Sequence, residues 1–349
     1  MVSGADKKSF TMGELKQALK EFKHNMDDVK DEQIKKESLS KKFRSYGELK
    51  QDFEAINWNI KSETEIVTGL LKQFKNKTVT LSEKVAILED LEYYCHQFDN
   101  AVHLVTSGGL GLLKGALNSS HARLREHAAF VLGSAAQSNP KVQIGALESG
   151  LLHDLVRLLP AESDPVVQRR LIYALSALLR HFPYAQRKFV ELGGLDSVMS
   201  FFKLDGAERQ KVKLLTLVLD LLREQREAQM RFDPRSSSTA EAERSRQYQE
   251  LDLLATLLER QWCAAIPDLL DIPDLASQEK VLQSLDFLMP NCTRTFGQAA
   301  DKLRQLKVAY EREERAETED ENKDYVRELK ELVGRVLAQL QRHDSKEEL

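Results

Sequence analysis

The 349-residue chain is poor in helix-breaking residues and in cysteine. It contains 16 glycines and 8 prolines, while 42% of its residues are hydrophobic, so a large core can form with few turns. This composition favours helices. The three cysteines, Cys95, Cys263 and Cys292, include no C-x-x-C pair and are too few for a disulfide framework or a zinc site. At least one thiol stays unpaired within a monomer, and the sequence leaves open whether Cys263 and Cys292 pair.

Long apolar runs and clusters of a single charge are also missing. No stretch approaches the roughly 18 uncharged apolar residues that a membrane span requires, and the first ten residues contain no apolar secretory segment. The net charge is −4, and the cations are interspersed with acids, which leaves no electrostatic footprint for phosphate. We therefore expect a soluble chain that binds neither a membrane nor nucleic acid.

Catalytic motifs are absent from the sequence as well. The chain has no Gly-rich phosphate loop, no G-x-S-x-G and no H-E-x-x-H. His96 and His103 lie seven residues apart without acidic neighbours at metal-ligand spacing, and Asp90 and Glu92, two apart on a helix, point in different directions. We predict that the protein is not an enzyme and holds neither a metal nor a cofactor.

A short glycine motif recurs along the chain. "SGGL" at 107–110, "ESGL" at 148–151 and "LGGL" at 192–195 are separated by steps of 41 and 44 residues. The stretch from Ala128, "AAFVLGSAAQSNPKVQ", aligns with "LIYALSALLRHFPYAQ" from Leu171. A period of this length is typical of armadillo or HEAT repeats. We predict an all-α fold, an armadillo-repeat α-solenoid forming a right-handed superhelix, with helical capping segments at both ends.

Each repeat is predicted to contain three helices. Ala128, Val131, Leu132 and Ala135 have the spacing of a buried helix face. A proline then opens a short helix, and glycine supplies the left-handed turn that ends it. The polar stretch "HFPYAQRKFVELGGLDSVM" at 181–199 is therefore a joint between repeats and not a catalytic site.

Further helix starts and the domain boundaries follow from local signals. Three capping boxes mark starts near 12, 46 and 81: Thr11 with Glu14, Ser45 with Glu48, and Thr80 with Glu83. The predicted divisions are a charged, partly mobile N-terminal segment (1–44), capping helices (45–80), core armadillo repeats (81–230), a polar loop (231–247), C-terminal helices with a divergent repeat (248–341) and a tail (342–349).

The third helices of successive repeats should line an extended concave surface suited to a macromolecular partner. The helix period assigns to this surface a row of residues, among which aromatic anchors are the strongest candidates. The predicted partner-binding residues are Glu89, Tyr93, His96, Glu126, Phe130, Ser134, Gln137, Arg169, Tyr173, Arg180, Lys213, Asp220 and Glu224. The alternative for Phe130 and the tyrosines is packing between neighbouring repeats.

Two weaker signals point to a secretory compartment. Asn76, Asn118 and Asn291 begin glycosylation sequons. The last four residues, Lys346, Glu347, Glu348 and Leu349, differ by one carboxylate homologue from the Lys-Asp-Glu-Leu retrieval signal; the alternative is a solvated charged tail. Together these features indicate a protein of the endoplasmic reticulum lumen whose signal peptide is not part of this chain.

Three stretches, "LEDLEYYCHQFDNA", "AAFVLGSAAQSNPKVQ" and "LLRHFPYAQRKFVELGGL", closely resemble the armadillo-repeat nucleotide exchange factors of BiP, the heat-shock ATPase chaperone of the endoplasmic reticulum lumen. The resemblance covers roughly residues 45–300. It implies that the concave face wraps lobe II of the chaperone's nucleotide-binding domain and promotes ADP release, supporting protein folding and translocation. We expect a monomer.

Other functions stay open at this stage. A cytosolic exchange factor would share the repeats, and a luminal scaffold without exchange activity would share the compartment. A peptide-binding adaptor usually carries an asparagine at each groove position. Here those positions hold Tyr93, Ser134, Ala177 and Asp220, which argues against the adaptor.

Overall fold

The structure is a computed structural model that describes Gly47 and residues 61–231, 239–317 and 319–347. Several sequence predictions lie outside these residues. They are the N-terminal segment 1–44, the helix starts near 12 and 46, most of the first capping helices, residues 232–238 of the polar loop, and Glu348 and Leu349 of the tail.

The described chain is built from helices joined by short turns. Those of the first half are α1 (Glu63–Lys75), α2 (Leu81–Cys95), α3 (Phe98–Thr106), α4 (Gly109–Leu117), α5 (Ala122–Ala136), α6 (Pro140–Glu148), α7 (Leu151–Leu158), α8 (Pro165–Leu179), α9 (Pro183–Glu191), α10 (Gly194–Phe202) and α11 (Glu208–Arg231). The second half contains α12 (Thr239–Gln249), α13 (Leu253–Glu259), two 3₁₀ turns (Trp262–Ala265 and Pro267–Asp271), α14 (Leu275–Gly297), α15 (Ala300–Ala316) and α16 (Asp320–Glu347).

The three-helix repeat follows from glycine and proline at fixed places. Gly108, Gly150 and Gly193 adopt left-handed φ angles of 74°, 71° and 75° and directly precede α4, α7 and α10. Pro140 and Pro183 are the first residues of α6 and α9, where a missing N–H leaves no bond unmade. Residues 181–199 are thus a joint, as predicted.

The third helix of each repeat packs laterally against its predecessor and its successor. Contacts run from α2 to α5, α8, α11 and α14 in turn, and we call these five helices the ladder. Nine of the 15 residues of α5 are buried, including the predicted core positions Ala128, Val131, Leu132 and Ala135, because neighbours cover it on more than one side. α14, which contains the divergent repeat motif, continues the stack.

A partly buried ion pair joins successive repeats. Arg125 on α5 donates from Nε to Glu162 at 2.7 Å and from Nη2 at 3.0 Å, and Glu162 precedes α8. Burial acts to raise the pKa of Glu162, but the hydrogen bonds from Arg125 and from the backbone N–H groups of Asp164 and Ser163 outweigh it and hold the pKa below its usual value. The carboxylate therefore remains charged and fixes the start of the next ladder helix.

The capping box that predicts a helix start near residue 81 agrees with the structure. The Thr80–Glu83 capping box forms and α2 begins at Leu81, as predicted. Ser62 and Glu65 form a second box at the start of α1. The acidic stretch "EREERAETEDENKD", which begins at residue 311, is helical to Ala316, and the next helix, α16, begins at Asp320.

The predicted loop at 231–247 is wrong in its second half, which forms α12. The polar composition of that stretch gives no helical stripe. The helix is held by tertiary contacts instead: Tyr248 is buried, donates from its hydroxyl to Glu224 at 3.1 Å, and its carbonyl accepts from Gln225 at 3.0 Å. The predicted tail also begins inside α16, which runs to Glu347.

Cys263 and Cys292 form a disulfide with Cα atoms 5.6 Å apart, which the sequence left open. It ties the 3₁₀ turn at Trp262–Ala265 to the last ladder helix, α14. Cys95 is free and buried, and burial raises its pKa to about 12, so its thiol stays protonated and unreactive.

We expect Cys292→Ser to lower the free energy of unfolding by roughly 2–4 kcal/mol, because the bond closes a loop across 29 residues of sequence. Urea denaturation under non-reducing conditions measures the loss. Adding a thiol reductant should destabilise the wild-type chain by a similar amount and leave the variant unchanged. Equal stability of both proteins in both buffers would contradict the structural role.

Candidate functional site

The predicted surface corresponds to one side of the ladder helices α2, α5, α8 and α11, which we call the ladder face. Its residues differ widely in exposure. The exposed ones are Glu89, Tyr93, His96, Gln137, Arg169 and Lys213. The half-buried ones are Glu126, Phe130, Tyr173, Arg180, Asp220 and Glu224.

Ser134 is the exception, because it is buried with 4% exposure. Its hydroxyl donates to Glu92 Oε1 at 2.8 Å, and the same carboxylate lies 2.6 Å from His96 Nε2. Ser134 thus links α5 to α2 and is not presented to a partner. Glu92, which the sequence analysis rejected as a catalytic acid, is part of this link between helices.

An aromatic pair occupies the contact between α5 and α8. The rings of Phe130 and Tyr173 meet edge to face with centroids 5.9 Å apart, and the Tyr173 hydroxyl donates to Gln137 at 3.0 Å. Gly133 makes the close approach possible, since a Cβ there would lie 2.4 Å from the Tyr173 ring. The alternative reading, packing between repeats, therefore describes these two aromatics, although both keep a partly exposed edge.

Polar pairs connect α8 with α11. Arg180 donates to Asp220 at 2.6 Å. Glu224 accepts from the backbone N–H of His181 and from Gln186, both at 2.9 Å, in addition to Tyr248. Three donors from α9, α12 and the joint between α8 and α9 thus converge on one carboxylate. Arg180, Asp220 and Glu224 hold the face together, which leaves Arg169 and Lys213 as its more available charges.

Tyr93 is the most open aromatic of the ladder face. It is 71% exposed and contacts Tyr94 edge to face at 5.2 Å. A large exposed aromatic that ends in a hydroxyl is typical of interface anchors. Sequence reasoning correctly placed it on the surface.

Sequence reasoning missed Arg170 and Gly133. Arg170 lies next to the predicted Arg169, and its guanidinium carbon is 3.4 Å from the centroid of the Phe130 ring. The signal that could have found Gly133 is its alignment: a glycine in the middle of a third helix, opposite an aromatic one repeat later, indicates a close contact between helices.

The ladder ends at a cleft of about 520 Å³ between α11, α14 and α16. Arg226 stacks on Phe287 there, 4.3 Å from the ring centroid, and Tyr325 donates to Glu279 at 3.1 Å. These side chains in the cleft contact one another. Their charged and hydroxyl groups continue the polar surface of the ladder face.

All three sequon asparagines are exposed. Asn76 follows α1, and its side-chain oxygen accepts from the backbone N–H and the hydroxyl of Thr78 at 3.1 and 3.0 Å. Asn291 lies on α14. The Asn118 side chain accepts from Arg157 and donates to the Lys114 carbonyl at 2.9 Å. Within the described ranges, no group of three metal-ligating side chains comes together, and no helix combines the length and apolar character of a membrane span.

The stacked units and continuous ladder define an armadillo-type α-solenoid. Solved structures with this arrangement include a designed armadillo repeat protein in complex with a (KR)4 peptide (TM-score 0.53, 12% identity, covering 78% of this chain and 99% of that one). A computationally designed armadillo repeat protein for modular peptide recognition aligns with a TM-score of 0.51 at 14% identity, covering 76% of this chain and 99% of that one. These similarities establish the fold.

The chain belongs to the SIL1/FES1/HPBP1 family, whose C-terminal domain model matches residues 100–341. It is 39% identical to the nucleotide exchange factor SIL1 of Xenopus laevis, covering 82% of this chain and 62% of that protein. For SIL1 of Mus musculus the identity is 36%, with 95% and 72% covered. The Hsp70 nucleotide exchange factor FES1 of Mycosarcoma maydis is 29% identical, with 52% and 46% covered. The chain spans less than two thirds of the frog relative's length.

We expect Gly133→Ala to lower the free energy of unfolding by about 1–3 kcal/mol, because the new methyl group forces the Tyr173 ring away from α5. The matched control is Gly115→Ala on α4, where a Cβ meets no atom within 4 Å. That change should leave stability equal or raise it by about 0.5–1 kcal/mol, since alanine favours a helix. Urea titrations followed by circular dichroism compare the two; equal curves would refute the close contact.

Proposed function

We propose that this chain is a nucleotide exchange factor for an Hsp70-type chaperone and that its partner is BiP of the endoplasmic reticulum lumen. The ladder face is the proposed binding surface, and lobe II of the chaperone's nucleotide-binding domain is the proposed target. The observation that carries the proposal is a continuous face across consecutive repeats, with Tyr93, Arg169 and Lys213 exposed on three different helices, in a chain whose relatives are named as exchange factors.

Exchange of this kind needs no catalytic residue. The factor must bind the open, nucleotide-free chaperone more tightly than the ADP-bound chaperone, and ADP must then weaken the complex by the same factor. A hundredfold coupling corresponds to about 2.7 kcal/mol of differential contact, which a few buried anchors can supply. The chain's own contribution is a fixed surface that fits one shape of its partner and not the other.

The luminal location is part of the proposal. The Cys263–Cys292 disulfide is typical of an oxidising compartment such as the endoplasmic reticulum. We further propose Asn76 and Asn291 as glycosylation sites, because a glycan on the Asn118 side-chain nitrogen would compete with the hydrogen bond that this nitrogen donates to the Lys114 carbonyl. The hydrogen bonds of the Asn76 side chain are accepted by its oxygen instead. The cytosolic alternative would keep all three asparagines unmodified.

We expect the triple variant Tyr93→Ala, Arg169→Glu, Lys213→Glu to slow release of fluorescent ADP from the BiP nucleotide-binding domain at least tenfold relative to the wild-type factor. Each residue is exposed on the ladder face, so circular dichroism should be unchanged. The release rate with and without each protein is the measurement. The same assay with a cytosolic Hsp70 tests the choice of chaperone.

The matched control changes equivalent residues elsewhere: Val308→Ala and Arg312→Glu on α15 and Lys141→Glu on α6, all exposed. It should exchange ADP like the wild-type factor. If the wild-type protein does not accelerate release, the exchange function fails. If the triple variant exchanges as fast as the control, the ladder face is not the binding surface.

A further inference from the structure

Arg170 on α8 is a half-buried arginine at the centre of the ladder face. Its guanidinium carbon lies 3.4 Å from the centroid of the Phe130 ring, and Phe130 in turn contacts Tyr173. Its Nε is buried without a hydrogen-bond partner. Among the residues that the structure describes, none forms an ion pair or hydrogen bond with this side chain.

Two carboxylates, Glu92 and Glu126, act on Arg170 electrostatically, and each also has another neighbour. Glu92 accepts from Ser134 at 2.8 Å and lies 2.6 Å from His96, and Glu126 lies 3.9 Å from His127. Burial, together with the adjacent charge of Arg169, lowers the pKa of Arg170, and it outweighs the opposite effect of the Glu126 and Glu92 carboxylates. The guanidinium therefore has negative charge nearby, but among the described residues no carboxylate forms a hydrogen bond or ion pair with it.

Two other arginines at contacts between repeats pair with a carboxylate of the same chain. Arg125 binds Glu162 through two nitrogens, and Arg180 binds Asp220. A buried donor left without an acceptor is costly. Because Nε is closed to solvent, a partner would bind through the two terminal guanidinium nitrogens. Stacking on an aromatic ring holds the planar guanidinium in place for such two-point binding of a carboxylate. In the free chain, Arg170 is thus a preorganised hydrogen-bond donor for an anion, and no described residue supplies that anion.

We propose that Arg170, stacked on Phe130 beside Tyr173, receives an aspartate or glutamate carboxylate from the chaperone's nucleotide-binding domain. This inference rests on the proposed function and names the chemistry of its central contact. The site requires a carboxylate on the partner and discriminates against a neutral or basic surface at that point.

The test compares Arg170→Met, Arg170→Lys and the control Arg312→Met, the last exposed on α15. Isothermal titration with the nucleotide-free BiP nucleotide-binding domain gives the dissociation constant at two salt concentrations, and thermal unfolding of the free chain gives its stability. Arg170→Met should weaken binding at least tenfold, the scale of a lost charge-assisted hydrogen bond. It should also reduce the salt dependence and leave the melting temperature equal or higher, because a desolvated charge is removed.

Arg170→Lys should lie between wild type and Arg170→Met, since lysine keeps the charge but not the planar fork, and Arg312→Met should bind like the wild type. If Arg170→Met binds as tightly as the control while the wild type binds and exchanges ADP, the inference is overturned and the proposed function stands. A fall in melting temperature that accounts for weaker binding would assign Arg170 a structural role instead. If the wild-type chain does not bind the chaperone at all, the proposed function and this inference fall together.

Discussion

The lateral packing of ladder helices governs the structure. A helix in the middle of the stack, such as α5 or α8, is covered by neighbours on both flanks and by the short helices of its own repeat, so nine of its 15 residues are buried. The close fit depends on small side chains, as where Gly133 lies against Tyr173. Because so little of each ladder helix reaches solvent, this face exposes one narrow strip per repeat.

The repeat could be predicted from sequence, because it depends on local signals. The contacts within the exposed strip of the ladder face could not. Apolar spacing, first-turn prolines and left-handed glycines are local signals, and they placed the joints at Gly150 and Gly193 and the core at Leu132 and Ala135 correctly. α12 carries no such signal. It is helical because Tyr248 and Gln225 connect it to α11, which is a tertiary effect that a window of local sequence does not contain.

Within the ladder face, the helix period assigns positions but not partners. It placed Tyr93 and Lys213 on the surface, where both are exposed. It also placed Ser134 there, but Ser134 is buried because its hydroxyl donates to the Glu92 carboxylate of the preceding repeat. Arg169 and Arg170 are adjacent in sequence, and a rotation of about 100° per residue decides that one is exposed and the other lies on Phe130. Only the neighbouring helix distinguishes these two environments.

Resistance of the stack to bending would matter for the proposed exchange function. A factor can shift its partner's conformation only by as much as its affinity differs between the two states, and a rod that bent to follow either state would lose that difference. The bonds between repeats oppose such bending: Arg125 and Glu162 lock α5 to the start of α8, and Arg180 with Asp220 locks α8 to α11. The charges that hold the repeats in register are thus already paired within the chain. Under the proposed function, recognition would fall to residues such as Arg170, for which the described residues supply no ion pair.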